Sequence, residues 1–324
     1  MIGLSLQTLD LHLLRQTFGV RLQEQASLAR YTAARLGGQA DALLEAESTQ
    51  ELVHAVSLAW EHQWPYLILG GGSNILVSDS GVRGLVILNR ARQVRFDNTV
   101  QPPKVWAESG ANFGLLARQA AQRGLAGLEW AAGIPGTLGG AVVGNAGAHG
   151  ADLAGILLLA EILHPDSTAQ QGEFQRLEWP VEKLEYAYRS SILKRQILQE
   201  RDRPSPVVLA ALLRLEHSTP EQVQARIDEY VAYRKLTQPP GASMGSMFKN
   251  PSGDYAGRLI EAAGLKGRKV GDAQISPRHA NFIVNVGKAR TADVLALMRL
   301  AQEEVKRKFG IDLEPEVHLI GVDA

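Results

Sequence analysis

Between Gly133 and Gly150 the chain reads GIPGTLGGAVVGNAGAHG, and seven of those eighteen residues are glycine. The others are almost all small or apolar, so this is no solvated linker, which would be rich in Ser, Lys and Glu. Nor is it a core strand, because glycine loses more backbone freedom on folding than any other residue and fills no space. Glycine at this density serves where backbone must approach something closely or take a positive φ. A phosphate held by successive main-chain N–H groups is one such object, and a buried structural turn is the other.

A second glycine cluster bears on that choice. Ala42 to Ala46 reads as a strand, and Ser48 or Thr49 caps a helix with Glu51 in its first turn. Leu52, Val53, Val56 and Ala59 form the apolar face of that helix. Pro65 to Leu69 is then a buried strand running into Gly70, Gly71, Gly72, Ser73 and Asn74. This is a β-α-β unit with its glycine loop at the carboxyl end of a strand, where α/β folds bind ligands. GGGSN matches neither the dinucleotide fingerprint nor a Walker sequence. It offers N–H groups, a hydroxyl and an amide at one turn, donors suited to a diphosphate. A tight structural turn has the same composition.

Taken in order, Leu11, Leu14 and Phe18 predict a short amphipathic helix ending near Gly19. After the glycine loop, Ile75 to Val77 and Leu85 to Leu88 predict a hairpin around Asp79-Ser80-Gly81. Val105 to Ala107 is strand-like, and Gly110 to Arg123 predicts a helix closed by Gly124. Ile156 to Leu163 and Val207 to Leu215 are strands flanking Tyr186-Ala187-Tyr188-Arg189-Ser190-Ser191. Pro220 to Lys235 predicts a helix with Val223, Ile227 and Val231 on one face. A βαβ-like C-terminal module follows, with a helix at Tyr255 to Ala263, a strand at His279 to Asn285 and a helix at Thr291 to Phe309.

Composition closes several options. Lys plus Arg equals Asp plus Glu at 34 each, and a general nucleic-acid binder would show a basic excess. The chain has no cysteine, which removes disulfides, thiolate metal sites and Cys nucleophiles. Its eight histidines are scattered without an HExxH, so no metal site is expected. The N-terminal run carries Asp10 and His12 and lacks a basic n-region, and no run is long enough to span a bilayer. The expectation is a cytoplasmic protein of 324 residues acting on small molecules, with no membrane, nucleic-acid or obligatory protein partner.

The order YTxxRLGG (Tyr31 to Gly38), GGGSN (Gly70 to Asn74), GIPGTLGGAVVGNAGA (Gly133 to Ala148), YRSS (Tyr188 to Ser191), GSMFKNP (Gly245 to Pro251) and EPEVHLIG (Glu314 to Gly321) resembles the UDP-N-acetylenolpyruvoylglucosamine reductase family. Six motifs in one order, from about Leu28 to Gly321, are far more specific than any one. The short spacing from Ala148 to Tyr188 is similar to the family's second type.

The resemblance implies an α+β protein: a two-domain PCMH-type FAD-binding fold plus a C-terminal α/β substrate domain. The boundaries it implies are 1–95, 96–217 and 218–324. Non-covalent FAD is expected on Gly70, Gly71, Gly72, Ser73, Asn74, Gly133, Ile134, Pro135, Gly136, Thr137, Gly139, Gly140, Asn145 and Gly147, with NADPH as hydride donor. Arg189, Ser246 and Glu316 are implied as catalytic, and Tyr188, Lys249 and Asn250 as substrate contacts.

The chemistry agrees with those roles. Hydride addition to the terminal carbon of an enolpyruvyl ether leaves negative charge on the neighbouring carbon and its carboxylate. A guanidinium pairs with that carboxylate, a protonated carboxylic acid donates a hydrogen bond to it, and a hydroxyl protonates the carbon. Taken singly, Arg189 is equally a surface cation, Ser246 a turn residue and Glu316 half of a salt bridge. Met244 stands where the family usually has a small residue, and Thr237 where some relatives have lysine. With Thr237 there, Arg234 or Lys235 is the candidate for a phosphate contact. Two other readings stay open at this point: a PCMH-fold flavin oxidase, and a non-enzymatic nucleotide-sugar binder.

Overall fold

The computed structural model describes residues 8–165, 174–199 and 204–322, so the start of the apolar N-terminal run lies outside it. The chain forms two compact units, and neither is one continuous stretch. The first comprises Met1–Glu24, Asp41–Gly71 and Gly84–Ala232; the second comprises Gln25–Ala40, Gly72–Arg83 and Tyr233–Ala324. The chain passes from the first to the second inside GGGSN, between Gly71 and Gly72.

In the first unit, helix α1 (Leu11–Phe18) starts where Asp10 accepts the Leu13 N–H at 2.9 Å and stops at Gly19. Helix α2 (Thr49–Glu61) opens on an N-cap, Ser48 Oγ accepting from Glu51 N–H, and the Glu51 carboxylate accepts from the N–H of Glu47, one residue before the cap. Leu52, Val53, Val56, Ala59 and Trp60 are its buried stripe. They share a core with α1 and with a four-stranded sheet, in the order Leu22–Ser27, Gln39–Ala46, Val82–Asn89, Tyr66–Leu69. The Tyr66–Leu69 and Val82–Asn89 strands pair in parallel.

The rest of this unit is a five-stranded antiparallel sheet in the order Phe174–Pro180, Leu157–Pro165, Val207–Arg214, Lys104–Glu108, Val94–Asp97. Its central strand, Val207–Arg214, is buried almost throughout, which is why it reads as a continuous apolar run. Against this sheet lie α3 (Phe113–Ala121) and α4 (Leu138–Gly144), joined in the core by Val223 and Ile227 of the later helix α6. Helix α5 (Ile192–Gln199) follows the YRSS segment, and α6 spans Pro220–Thr237.

The second unit packs α7 (Ala256–Ala262) and α8 (Thr291–Phe309) on a four-stranded sheet in the order Ala242–Ser246, Phe282–Asn285, Ala273–Ile275, Lys269–Val270. Phe248, Leu259, Leu297 and Val305 are fully buried between them.

Five expectations change. Ile75–Val77 forms no hairpin with Val82–Asn89; it pairs in parallel with His318–Ile320, His318 opposite Ile75. A short apolar run shows that a strand exists but not which strand it joins. The C-terminal unit mixes helices and strands as expected, yet its ladder is antiparallel rather than βαβ-like. The glycine-rich stretch holds a helix, α4, because Leu138, Ala141 and Val142 give it a buried stripe that outweighs glycine's poor propensity. The helix read from Gly110 begins instead at Phe113, where the Asn112 side chain accepts from Leu115 N–H at 2.8 Å. Helix α6 runs on to Thr237, whose hydroxyl donates back to the Tyr233 carbonyl. The strand Phe174–Pro180 and helix α5 had no distinct signal in the sequence.

Within the second unit, Asp79 caps α8 from far away in sequence. Its carboxylate accepts the Thr291 N–H at 2.9 Å and the Ala292 N–H at 3.0 Å, while Thr291 Oγ1 donates to the Val77 carbonyl. An anion on the first N–H groups of a helix matches both the orphan donors and the dipole. Asp79→Ala is therefore expected to lose about 1–2 kcal/mol in urea unfolding, and Asp79→Asn less. An unchanged midpoint for Asp79→Ala would show that this cap contributes nothing.

Candidate functional site

Two glycine clusters meet in the first unit. Gly70 follows directly on the Tyr66–Leu69 strand, and a Cβ there would lie 2.4 Å from Thr137 Oγ1. The GGGSN loop thus touches GIPGTLGG only because position 70 has no side chain. Gly139 is as confined: its N–H donates to the Ser109 carbonyl at 2.8 Å, and a Cβ would come within 2.9 Å of Ser109 Cβ. Leu138 N–H is likewise held by the Ala111 carbonyl, and Ile134 N–H by that of Ala131. Gly139 therefore serves by its missing side chain, its N–H being engaged.

The second half of GGGSN belongs to the other unit. Gly72 sits at φ +60°, where a Cβ would fall 1.9 Å from the Tyr31 carbonyl oxygen, and its own carbonyl accepts from Ala33 N–H. The YTxxRLGG and GGGSN motifs are thus packed main chain to main chain. Asn74 donates through Nδ2 to the Glu316 carbonyl at 3.2 Å, and its carbonyl accepts from His318 N–H. A residue expected as a phosphate donor is also the fastener of the Glu316 segment. The close approaches at Gly70 and Gly72 are to the chain's own atoms and serve packing within each unit; the Gly70-Gly71 turn at the carboxyl end of the Tyr66–Leu69 strand is the part of the loop that fits an anionic cofactor such as FAD.

The YRSS segment closes on the carbonyl end of α4. Tyr186 Oη donates to the Val142 carbonyl at 2.8 Å and Ser191 Oγ to that of Val143 at 2.6 Å. Arg189 reaches past them to the Gly147 carbonyl at 2.8 Å and the Asn145 carbonyl at 3.5 Å. The last carbonyls of a helix lack intrahelical partners and carry partial negative charge, so the two hydroxyls complete them while the guanidinium holds the turn that follows. Burial, and to a lesser degree Asp152, push the Tyr186 phenol far above its ordinary value, which keeps it an O–H donor. Arg189 itself is at φ +54°, a strained setting for a non-glycine residue, and the buried Lys194 donates to its carbonyl at 3.1 Å. Asn145 is buried; its side chain donates to Asp152 and the Ala187 carbonyl and accepts from Ala154 N–H. These bonds hold the turn after α4. Tyr188 is 55% exposed, with the Arg189 guanidinium 5.6 Å from its ring centre.

In the second unit, Ser246 and Glu316 lie on paired segments. Phe248 bridges Pro315, Glu316 N–H donates to the Met247 carbonyl at 2.8 Å, and Lys249 N–H donates to the Glu314 carbonyl at 2.9 Å. Lys249 Nζ also forms an ion pair with Glu314, and Asn250 Oδ1 accepts from Ala256 N–H at the start of α7. Met244 is buried in the apolar core, so its bulk is accommodated there.

Sequence reading missed Ser109 and Asn281 and gave Tyr186 and Ser191, within the segment it singled out, no role of their own; all four hold the site segments by hydrogen bonds to main chain. Their partners are carbonyls and N–H groups, which leave no pattern in a sequence. Among the described residues no group of three His, Asp or Glu could hold a metal, and no helix is long and apolar enough to cross a membrane.

Comparison with known proteins agrees with this layout. Residues 40–171 match the profile described as an FAD binding domain, and residues 236–320 match that of the UDP-N-acetylenolpyruvoylglucosamine reductase C-terminal domain. A reductase of that name from Rubrobacter xylanophilus is 47% identical over 91% of this chain and 93% of its own length. One from Chloroflexus aggregans is 43% identical over 95% of this chain and all of its own. The crystal structure of UDP-N-acetylenolpyruvylglucosamine reductase (MurB) from Thermus caldophilus superposes with a TM-score of 0.75 at 36% identity, covering 93% of this chain and 99% of that one.

The close approaches at Gly70 and Gly72 make a direct prediction. Gly70→Val and Gly72→Ala should each purify with FAD content reduced more than about tenfold, with secondary structure retained in circular dichroism. Stoichiometric flavin absorbance in both variants would remove these glycines from the cofactor site.

Proposed function

The chain belongs to the UDP-N-acetylenolpyruvoylglucosamine reductase family, and from that membership we propose how its residues divide the reaction. The protein is an FAD-dependent oxidoreductase that reduces UDP-N-acetylenolpyruvoylglucosamine to UDP-N-acetylmuramate for peptidoglycan synthesis, with NADPH as reductant. It is an enzyme, which sets aside the colourless binding protein, and its near-full-length relatives are reductases rather than oxidases. Our assignment extends to a cytoplasmic setting without an obligatory protein partner. It keeps 1–95 and 96–217 as the flavin-holding parts and 218–324 as the substrate part.

Bound FAD supplies the hydride relay from NADPH to the terminal carbon of the enolpyruvyl group. The protein's own residues deal with what that hydride leaves behind. Arg189, pre-set by the carbonyls of Asn145 and Gly147, pairs with the enolpyruvyl carboxylate as charge builds on the adjacent carbon. Ser246 delivers the proton to that carbon from its hydroxyl, and solvent restores it. Glu316, as the protonated acid, donates a hydrogen bond that steadies the same charge. Tyr188, Lys249 and Asn250 grip the nucleotide sugar, with Lys249 exchanging its Glu314 partner for an anionic group of the substrate.

The observation that carries this division is the pairing of the Ser246 and Glu316 segments through Met247. That pairing, around the isolated bridge from Phe248 to Pro315, supports the reading because the segments of the proposed proton donor and the proposed acid run side by side.

Anaerobic stopped-flow separates the half-reactions. Ser246→Ala should bind FAD and bleach normally with NADPH, then reoxidise with the enolpyruvyl nucleotide slower by about two to four powers of ten. Glu316→Gln keeps a donor and should lose less than Glu316→Ala. Equal slowing of the NADPH step in Ser246→Ala would make the serine a structural residue instead.

A further inference from the structure

The strand that ends at Ser246 does not run flat against its neighbour. Ser243 pairs with Val284 but Ser246 pairs with Phe282, so one extra residue is accommodated between them. Gly245 takes it up at φ +80° with open space where a side chain would stand. Such a bulge turns the following side chain and loosens the ladder beyond it. Beyond Ser246 the main-chain ladder to that neighbour ends with Met247 N–H on the Asn281 carbonyl at 2.9 Å.

There a side chain takes over. Asn281, only 3% exposed, accepts the Phe248 N–H on Oδ1 at 3.0 Å and donates through Nδ2 to the Phe248 carbonyl at 2.8 Å. Exchange of both bonds with one residue is what a main-chain partner does in a closely spaced antiparallel pair. The carboxamide therefore acts as an extra peptide unit. The opposite edge of the same segment is occupied by Glu314 and Glu316. Asn281 is thus the clamp that holds the Met247–Lys249 segment against Glu316 at the point where the bulge would release it. Its ring neighbour His279 accepts the Asn281 N–H on Nδ1 at 3.2 Å and helps fix the clamp's own backbone.

We propose that Asn281 is a positioning residue: by pairing with Phe248 as a peptide mimic, it sets the placement of Ser246 relative to Glu316. The proposal rests on the assignment of Ser246 as proton donor, and it predicts a defect confined to the step that uses this serine. Asn281→Ala in the holoenzyme should leave flavin bleaching by NADPH unchanged and slow reoxidation by the enolpyruvyl nucleotide about a hundredfold, the scale of a small misplacement. The loss should lie in the limiting rate, with the substrate's half-saturating concentration little changed. In a Ser246→Ala background the same substitution should add less than about threefold, because the two residues act through one proton transfer. Asn281→Asp preserves volume if the alanine variant folds poorly. It loses the Nδ2 donor and should show the same pattern.

Hydrogen exchange read by mass spectrometry supplies a measurement free of turnover. The peptide covering Met247 to Lys249 should exchange at least about tenfold faster in Asn281→Ala, while α8 peptides keep their protection. Equal slowing of both half-reactions, a full additional loss in the Ser246→Ala background, or unchanged exchange at this peptide would overturn the proposal. If reduced wild-type enzyme is not reoxidised by the enolpyruvyl nucleotide, the assignment of function falls, and the positioning role falls with it. Faster exchange at the peptide would then leave only the structural clamp standing.

Discussion

The open carbonyl end of α4 is the constraint on which the first unit's site depends. A seven-residue helix with three glycines has little intrinsic stability, and its last carbonyls need donors. Tyr186 and Ser191 supply them from one loop, and Arg189 ties down the turn just beyond, at Asn145 and Gly147. Each neutral hydrogen bond is worth roughly 1 kcal/mol net, and those from the guanidinium roughly 1.5–3. The larger consequence is geometric. Arg189, at φ +54°, spends its guanidinium on the Asn145 and Gly147 carbonyls, so the cation and the glycine-rich segment define each other's position.

The second unit solves a related problem with strands. Its proposed proton donor lies at a bulge, where a ladder ordinarily loosens, and the segment beyond is gripped on one edge by Asn281 and on the other by Glu314 and Glu316. Asn74 then ties the Glu316 carbonyl back to the glycine loop that opens this unit. Rigid placement of a few polar groups, with their neighbours' hydrogen bonds satisfied, is what preorganised catalysis requires.

Much of this was legible because it depends on local chemistry. Thr291 to Phe309 read as a helix from its periodicity, and the structure ends it at the same residues. The strand leading into GGGSN and the Ser48 cap were equally plain. What stayed hidden was pairing over long distances. Ile75–Val77 carries the same apolar signal whether it joins the next strand or His318–Ile320. Asp79 looks like a turn residue until α8 is seen to start on it. The main-chain bonds that Asn145 and Asn281 make, to Ala187 and Phe248, were equally invisible. Arg189, Ser246 and Glu316 were named only because six motifs in order resembled a family. Their residue types alone carry no such message.

The central claim is that the substrate carbon next to the carboxylate receives its proton from an exchangeable hydroxyl held on one face. Turnover in deuterated water with unlabelled NADPH tests it most directly, followed by proton NMR of the isolated product. The account predicts deuterium at the methine carbon of the new lactyl ether, in a single configuration. Protium at that carbon, or a mixture of configurations, would contradict a fixed serine donor.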